Sequence, residues 1–314
     1  RVLLAFLFVG SASATSVHVA AISVSTVETS FEANWQRGLE LARIALGTSP
    51  GLDKNSTIRK PDLVLFPEAF AAGYPPCCDL KPYAENITTS PHLNAFRELS
   101  RQSGAMIILG FLELGDGSKG LNYYGDPIQN GMIIIDKGED LGVHYKTRIA
   151  GCTSPPPDDC RPWRDETRLL VAGKDIEVWN TRLGRFAIYT CSENMYPQGW
   201  SDVVGKVDYV LSPYNCEDNG AGDGSEAVST FPCTPGEHGG CFPQPTCDCY
   251  KGNAALSAKY GLPSAWADRT GMAYEGTHYI QNRGTAGGTD KHGHVTSWSG
   301  RAGAEAIVDV YIEY

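Results

Sequence analysis

The stretch GRFAIYTCSENMYP, Gly184 to Pro197, carries the reading on which the rest of the chain turns. An apolar run of strand composition ends at Cys191, and polar residues and a proline follow at once. Three readings of that thiol are open: a small core residue, half of a disulfide, or a nucleophile presented on a strand-to-helix turn. The neighbouring segments weigh them.

Working outward, apolar runs alternate with helical stretches. VHVAAISV (17–24), DLVLF (62–66) and AMIILGF (105–111) read as strands. SFEANWQRGLELARIAL places Trp35, Leu39, Ala42 and Leu46 on one face of an amphipathic helix. In SPHLNAFRELSRQSG, Ser90 is the expected N-cap, Pro91 the first helical residue and Gly104 the stop. GMIIID and LGVHYK flank KGED as a hairpin. Strands recur at IEVW, GRFAIYTC and VDYVLSP, then a helix at NAALSAKYGL, then strands at HYIQNR, HVTSW and AEAIVDVYIEY. Such alternation predicts an α/β fold with helices covering sheet faces. No linker divides the chain, so residues 15–314 are expected to form one domain, with a Gly-, Pro- and Cys-rich insertion at 216–251.

The 314 residues suffice for a large core, and 42% hydrophobic with 20% charged content is globular rather than disordered. A net charge of −10 without a basic run argues against a nucleic-acid partner. Residues 1–14 place Arg1 ahead of an apolar run, Val2 to Val9, that ends in small residues at Ala14. That is the layout of a secretory signal peptide, too short to span a bilayer. Asn55-Ser56-Thr57 and Asn86-Ile87-Thr88 are N-glycosylation acceptors, and a secreted or extracellular location follows as the expectation. Of ten cysteines, nine lie in loop-like sequence, which suits disulfides in an oxidising compartment; Cys152 and Cys160 bracket a proline-rich loop that a bridge would close. CFPQPTCDC competes as a zinc site but lacks a second CxxC pair, so neither metal nor cofactor is expected.

Three ionisable residues stand at strand termini: Glu68 after DLVLFP, Lys146 at the end of LGVHYK, and Cys191. Each has a bland reading, as helix cap, surface charge and core filler. Together they make a coherent chemistry. Glu68 takes the thiol proton of Cys191, and the Lys146 ammonium with the backbone N–H of Ser192 stabilises the oxyanion formed when sulfur attacks carbon. Open α/β folds place ligands at such strand ends.

In order and context, these stretches resemble the nitrilase superfamily of carbon–nitrogen hydrolases. FPEAFAAGYP is similar to its glutamate motif, GMIIIDKGEDLGVHYK to the hairpin that delivers its lysine, and VWNTRLGRFAIYTCSENMYP to its cysteine elbow. GLPSAWADRTG and DKHGHVTSWSGRAGAEAIVDVYI resemble the closing strands. The motifs look closest to the nitrilase and aliphatic amidase branches, although Ser192 stands where nitrilases usually carry Trp.

The resemblance implies a four-layer αββα sandwich with Glu68 as base, Lys146 as oxyanion stabiliser and Cys191 as nucleophile. It implies Glu166 as the second glutamate that positions the lysine. It also implies a homodimer or larger homo-oligomer, filaments included, and a small nitrile or amide as substrate. Tyr74 and Trp200 are candidates for the pocket, and Glu193 either caps a helix or lines the site. His144 is read as packing beside the site, and His292 and His294 as turn residues. A structural, non-catalytic protein on the same scaffold is the rival reading, motivated by the Cys-rich insertion and the assembly habit.

Overall fold

A computed structural model describes residues 16–26, 30–49, 60–72, 79–149, 166–195, 198–215, 249–275, 278–299 and 304–314. Its organising strand is β1 (Ser16–Ser25), apolar on both faces, as a strand buried between layers must be. On one side β1 pairs parallel with β2 (Leu63–Leu65), which pairs parallel with β4 (Met106–Leu114). The sheet continues antiparallel through the hairpin of β5 (Ile128–Asp136) and β6 (Glu139–Tyr145), while the two-residue β3 (Ala84–Glu85) pairs with the end of β4. On its other side β1 runs antiparallel to β14 (Ala306–Glu313).

The second half of the sheet is built on β10 (Ser264–Glu275), parallel to β9 (Tyr209–Tyr214) and, beyond it, β8 (Gly184–Ile188), with β7 (Trp179–Thr181) at the edge. Two short strands, β12 (Gly287–Thr289) and β13 (Val295–Trp298), extend it, and β11 (His278–Arg283) forms a hairpin with the distal part of β10. Val24 and Ser25 of β1 pair with Arg269 and Thr270 of β10, so the sheet curls back on itself there.

Period-two alternation assigns the faces. Val17, Val19 and Ala21 point inward with Leu63, Leu65, Met106 and Ile108, and meet Phe186, Ile188, Tyr209, Leu211, Ala265 and Ala267 of the other half. Ala20, Ile22 and Val24 point outward to Trp35, Leu39 and Ala42 of α1 (Phe31–Ala45) and to Leu93, Phe96 and Leu99 of α2 (Pro91–Ser103). On the opposite outer face Ala187, Tyr189 and Val210 pack with Trp200, Val203, Val207 and Leu256 of α4 (Cys249–Tyr260). The order of layers is helix, sheet, sheet, helix.

α2 starts and stops as expected: Ser90 Oγ accepts from the N–H of Leu93 at 3.1 Å, Pro91 opens the helix, and Gly104 closes it at φ 74°. Three expectations need correction. Of IEVW only Trp179 is in a strand, because β7 is set by its turn back onto β8. α4 begins at Cys249, so the last residues assigned to the insertion are helical; its first three residues precede the apolar Ala254 and Leu256 that reveal the periodicity. β3, β12 and the four-residue α3 (Glu166–Leu169) are additional elements.

Candidate active site

Glu68 follows β2 through Phe66 and Pro67, and its N–H donates to Tyr214 O on β9 at 3.3 Å. This strap lies flat on β4 only because residue 110 is glycine. A Cβ there would sit 2.4 Å from both Ala69 N and Pro67 O. Lys146 leaves the end of β6, its N–H donating to Asn130 O and its own carbonyl accepting from Gly173, both at 2.9 Å. Gly173 is a second enforced glycine, with a Cβ position 2.0 Å from Tyr145 O. After β8, Cys191 opens a single 3₁₀ turn, Cys191–Met195, at φ 45°. A left-handed non-glycine residue costs roughly 1–3 kcal/mol and persists only where its surroundings impose it.

The three far-apart segments meet around the Lys146 ammonium. Its Nζ lies 2.6 Å from Glu68 Oε1 and 2.8 and 3.1 Å from the two oxygens of Glu166. Asn130 Nδ2 adds a 2.7 Å hydrogen bond to Glu68 Oε1. Glu68, Lys146 and Glu166 are buried. Cys191 is a free thiol, partly exposed as a residue, packed against Tyr214 and Trp266, and within the electrostatic reach of Glu68, Lys146 and Glu166. The backbone N–H of Asn215 faces the sulfur.

Burial sets the protonation states. It pushes the Cys191 thiol well up, and the Glu68 charge reinforces this, so the resting sulfur holds its proton. Burial also raises Glu68, against the pull of Lys146. For Lys146 burial disfavours the charge, but Glu166 and Glu68 overcome it and hold the ammonium protonated far above neutrality. Moving a proton from Cys191 to Glu68 leaves the net charge of the cluster unchanged. A buried site therefore permits the transfer without importing charge.

The other anticipated residues fall elsewhere. Ser192 Oγ is committed to Arg148 O at 2.6 Å, which leaves its contribution to the backbone. Glu193 is wholly buried, and its carboxylate is committed to His144, Thr147 and Thr190. Trp200 packs under the outer face of the second sheet and donates to Asn194 Oδ1 at 2.9 Å. His292 and His294 sit in an exposed turn held by Asp290. Asn86 is exposed in a turn. Residues 1–14, Asn55, Tyr74 and the insertion from 216 to 248, with the cysteines expected to pair there, lie outside the described residues. Among the described residues no group of three or more His, Cys, Asp or Glu side chains is arranged to hold a metal ion. Sequence reasoning missed Asn130, Tyr214 and Trp266. For Asn130 a signal existed: it is a polar residue inside the otherwise apolar strand IQNGMIIID.

Residues 18–208 match the family model for carbon-nitrogen hydrolases. The fold is similar to that of Nit3 from Saccharomyces cerevisiae, a member of branch 10 of the nitrilase superfamily (TM-score 0.63, 17% identity, 95% of this chain and 90% of that one). It is equally similar to an amidase from Nesterenkonia sp. AN1 (TM-score 0.63, 13% identity, 96% and 90%), seen with the acetamide moiety of fluoroacetamide added covalently at its active-site cysteine. In sequence, 154 residues are 25% identical to the glutamine-dependent NAD(+) synthetase of Thermotoga maritima, covering 49% of this chain and 22% of that protein.

Proposed function

This chain belongs to the carbon–nitrogen hydrolase family, and from that premise we propose that it is a thiol hydrolase of small amides or nitriles working through a Cys191 thioester. The observation that carries the reading is the Lys146 ammonium gripped by Glu68 and Glu166 beside a thiol on a strained turn. In this mechanism Cys191 Sγ attacks the carbonyl or nitrile carbon while its proton passes to Glu68. For an amide, charge develops on the oxygen and is met by the Lys146 ammonium and the N–H of Ser192, in a site with little water to compete. The tetrahedral adduct, which a nitrile reaches only after its thioimidate adds one water, collapses as Glu68 returns the proton to the departing nitrogen, releasing ammonia or an amine. Water then attacks the thioester with Glu68 again as base, giving the carboxylate and restoring the thiol.

Glu166 keeps Lys146 charged and aimed, and Asn130 fixes the Glu68 carboxylate. The amidase likeness favours amides for the first panel, and glutamine belongs in it because the curated relative is glutamine-dependent. Ammonia release from that panel should occur with the wild type and vanish in Cys191→Ala. Equal release by both would discard the mechanism, and no release by the wild type from any member of the panel would favour a non-catalytic role for the scaffold. We further read the protein as exported and self-associating, on the strength of its N-terminal layout, its acceptor sequons and its family resemblance.

A further inference from the structure

One buried carboxylate does more than the proposed reaction asks of it. Glu193 lies two residues beyond Cys191, and its side chain folds back. Oε2 accepts from the N–H of Thr190 at 2.6 Å, and Oε1 accepts from the N–H and the hydroxyl of Thr147, each at 2.7 Å. Thr190 immediately precedes Cys191, and Thr147 immediately follows Lys146. The fourth partner is His144 Nε2, 2.9 Å from Oε2. With four donors the carboxylate has no accepting capacity left over, which is what its complete burial demands.

His144 completes the arrangement. Its other nitrogen, Nδ1, lies 2.7 Å from Glu177 Oε2. A carboxylate only accepts, so a ring with one on each side must carry a proton on both nitrogens; it is an imidazolium. Its positive charge balances the buried Glu193. A second stitch runs alongside, from Ser192 Oγ to Arg148 O and from Arg148 Nη1 to Glu193 O.

We propose that Glu193 is a positioning residue whose carboxylate, held by the His144 imidazolium, sets the distance between the Cys191 sulfur and the Lys146 ammonium by gripping the residue before the one and the residue after the other. The role rests on the hydrolase reading for its purpose. The geometry also explains how Cys191 is kept at a positive φ: the N–H on its N-terminal side is tied to the side chain two residues on its C-terminal side. A glutamine in place of Glu193 has the same shape but presents an NH₂ donor toward the donors of Thr147 or Thr190. The grip should fail on chemistry rather than on size.

The test uses a readout independent of any substrate. Iodoacetamide alkylates Cys191 with loss of iodide, the thiol proton passing to Glu68. The rate is followed by mass mapping of the Cys191 peptide across pH 6–10. Wild type should react readily near neutrality. Glu193→Gln should react at least tenfold more slowly at pH 7, and its rate should climb only at alkaline pH, as for an unassisted thiol. Thr147→Val, which removes a single bond at a partly exposed position, should show a smaller loss of the same form. Cooperative thermal unfolding identifies folded variants, and Thr147→Val decides the matter if Glu193→Gln does not fold. Alkylation within twofold of wild type, or faster, in a folded Glu193→Gln, or in Thr147→Val where that variant decides, overturns the inference. Ready alkylation of wild type with no turnover of any amide or nitrile would instead fault the proposed reaction and leave the positioning role standing.

Discussion

In the proposed reaction Cys191 and Glu68 share one mobile proton, and the surrounding charges decide where it rests. Two carboxylates and one ammonium leave the cluster with a single excess negative charge, so a thiolate forms only as Glu68 becomes neutral. A different buried pair, His144 and Glu193, contributes to the pH dependence of stability. Burial opposes the charge on His144, but Glu193 and Glu177 raise it from 6.5 to about 9; among the described residues these two are the charged groups bonded to it. Burial likewise opposes the Glu193 charge, but His144 and Thr147 lower it from 4.5 to about 2. The sign follows from linkage. The raised histidine contributes stability in full below about 6.5 and loses it as pH rises through about 9. The lowered glutamate contributes above about 4.5 and loses it as pH falls through about 2. Denaturant unfolding should therefore show wild type losing on the order of 3 kcal/mol between pH 6.5 and 9.5. His144→Gln should be flatter over that window, and an equally steep decline in the variant would remove the assignment.

Each active-site side chain is aimed by the element that ends beside it, and backbone contact is what holds those ends. Gly110→Ala should destabilise by about 1–3 kcal/mol and cut activity, because its methyl meets the Pro67–Ala69 backbone rather than a flexible side chain. Ser90→Ala should cost about 1 kcal/mol through loss of the α2 cap and leave activity intact, since α2 covers the outer face. Guanidinium denaturation with parallel assays separates the two; equal effects on activity would deny the strap its role. The same contrast explains what the sequence made legible. β1, β4 and the β5–β6 hairpin announce themselves through their apolar runs, and α2 through its own cap, proline and glycine. Glu68, Lys146 and Cys191 were legible because each motif is local, and Glu166 through the resemblance. β3 and β12 are only two and three residues long and owe their existence to distant partners, so nothing local marks them. The Glu193–His144 contact joins residues 49 apart, and the Asn130–Glu68 contact residues 62 apart, distances over which no periodicity speaks.

At the scale of the molecule, curling the sheet about β1 and β10 brings the ends of β2, β6 and β8 to one place, and no single segment contains the site. The outer surface bears on where the protein works. Asn86 is exposed, and its Oδ1 accepts from the N–H groups of Thr88 and Thr89 at 3.0 and 3.1 Å in a hydrogen-bonded surface turn. Expressed through a secretory pathway, the protein should carry a glycan at Asn86 that peptide-N-glycosidase removes and that Thr88→Ala prevents. A fully occupied export system that leaves Asn86 bare would count against the extracellular reading. The central claim, that sulfur from one half of the curled sheet is the nucleophile served by the carboxylate and ammonium from the other, is tested most directly by trapping the acyl group. Wild type mixed with a small amide such as acetamide, and quenched in acid, should gain the mass of one acyl group on the Cys191 peptide, and Cys191→Ala and Lys146→Ala should gain none. An acyl group on another residue, or turnover undiminished in Cys191→Ala, would contradict the account.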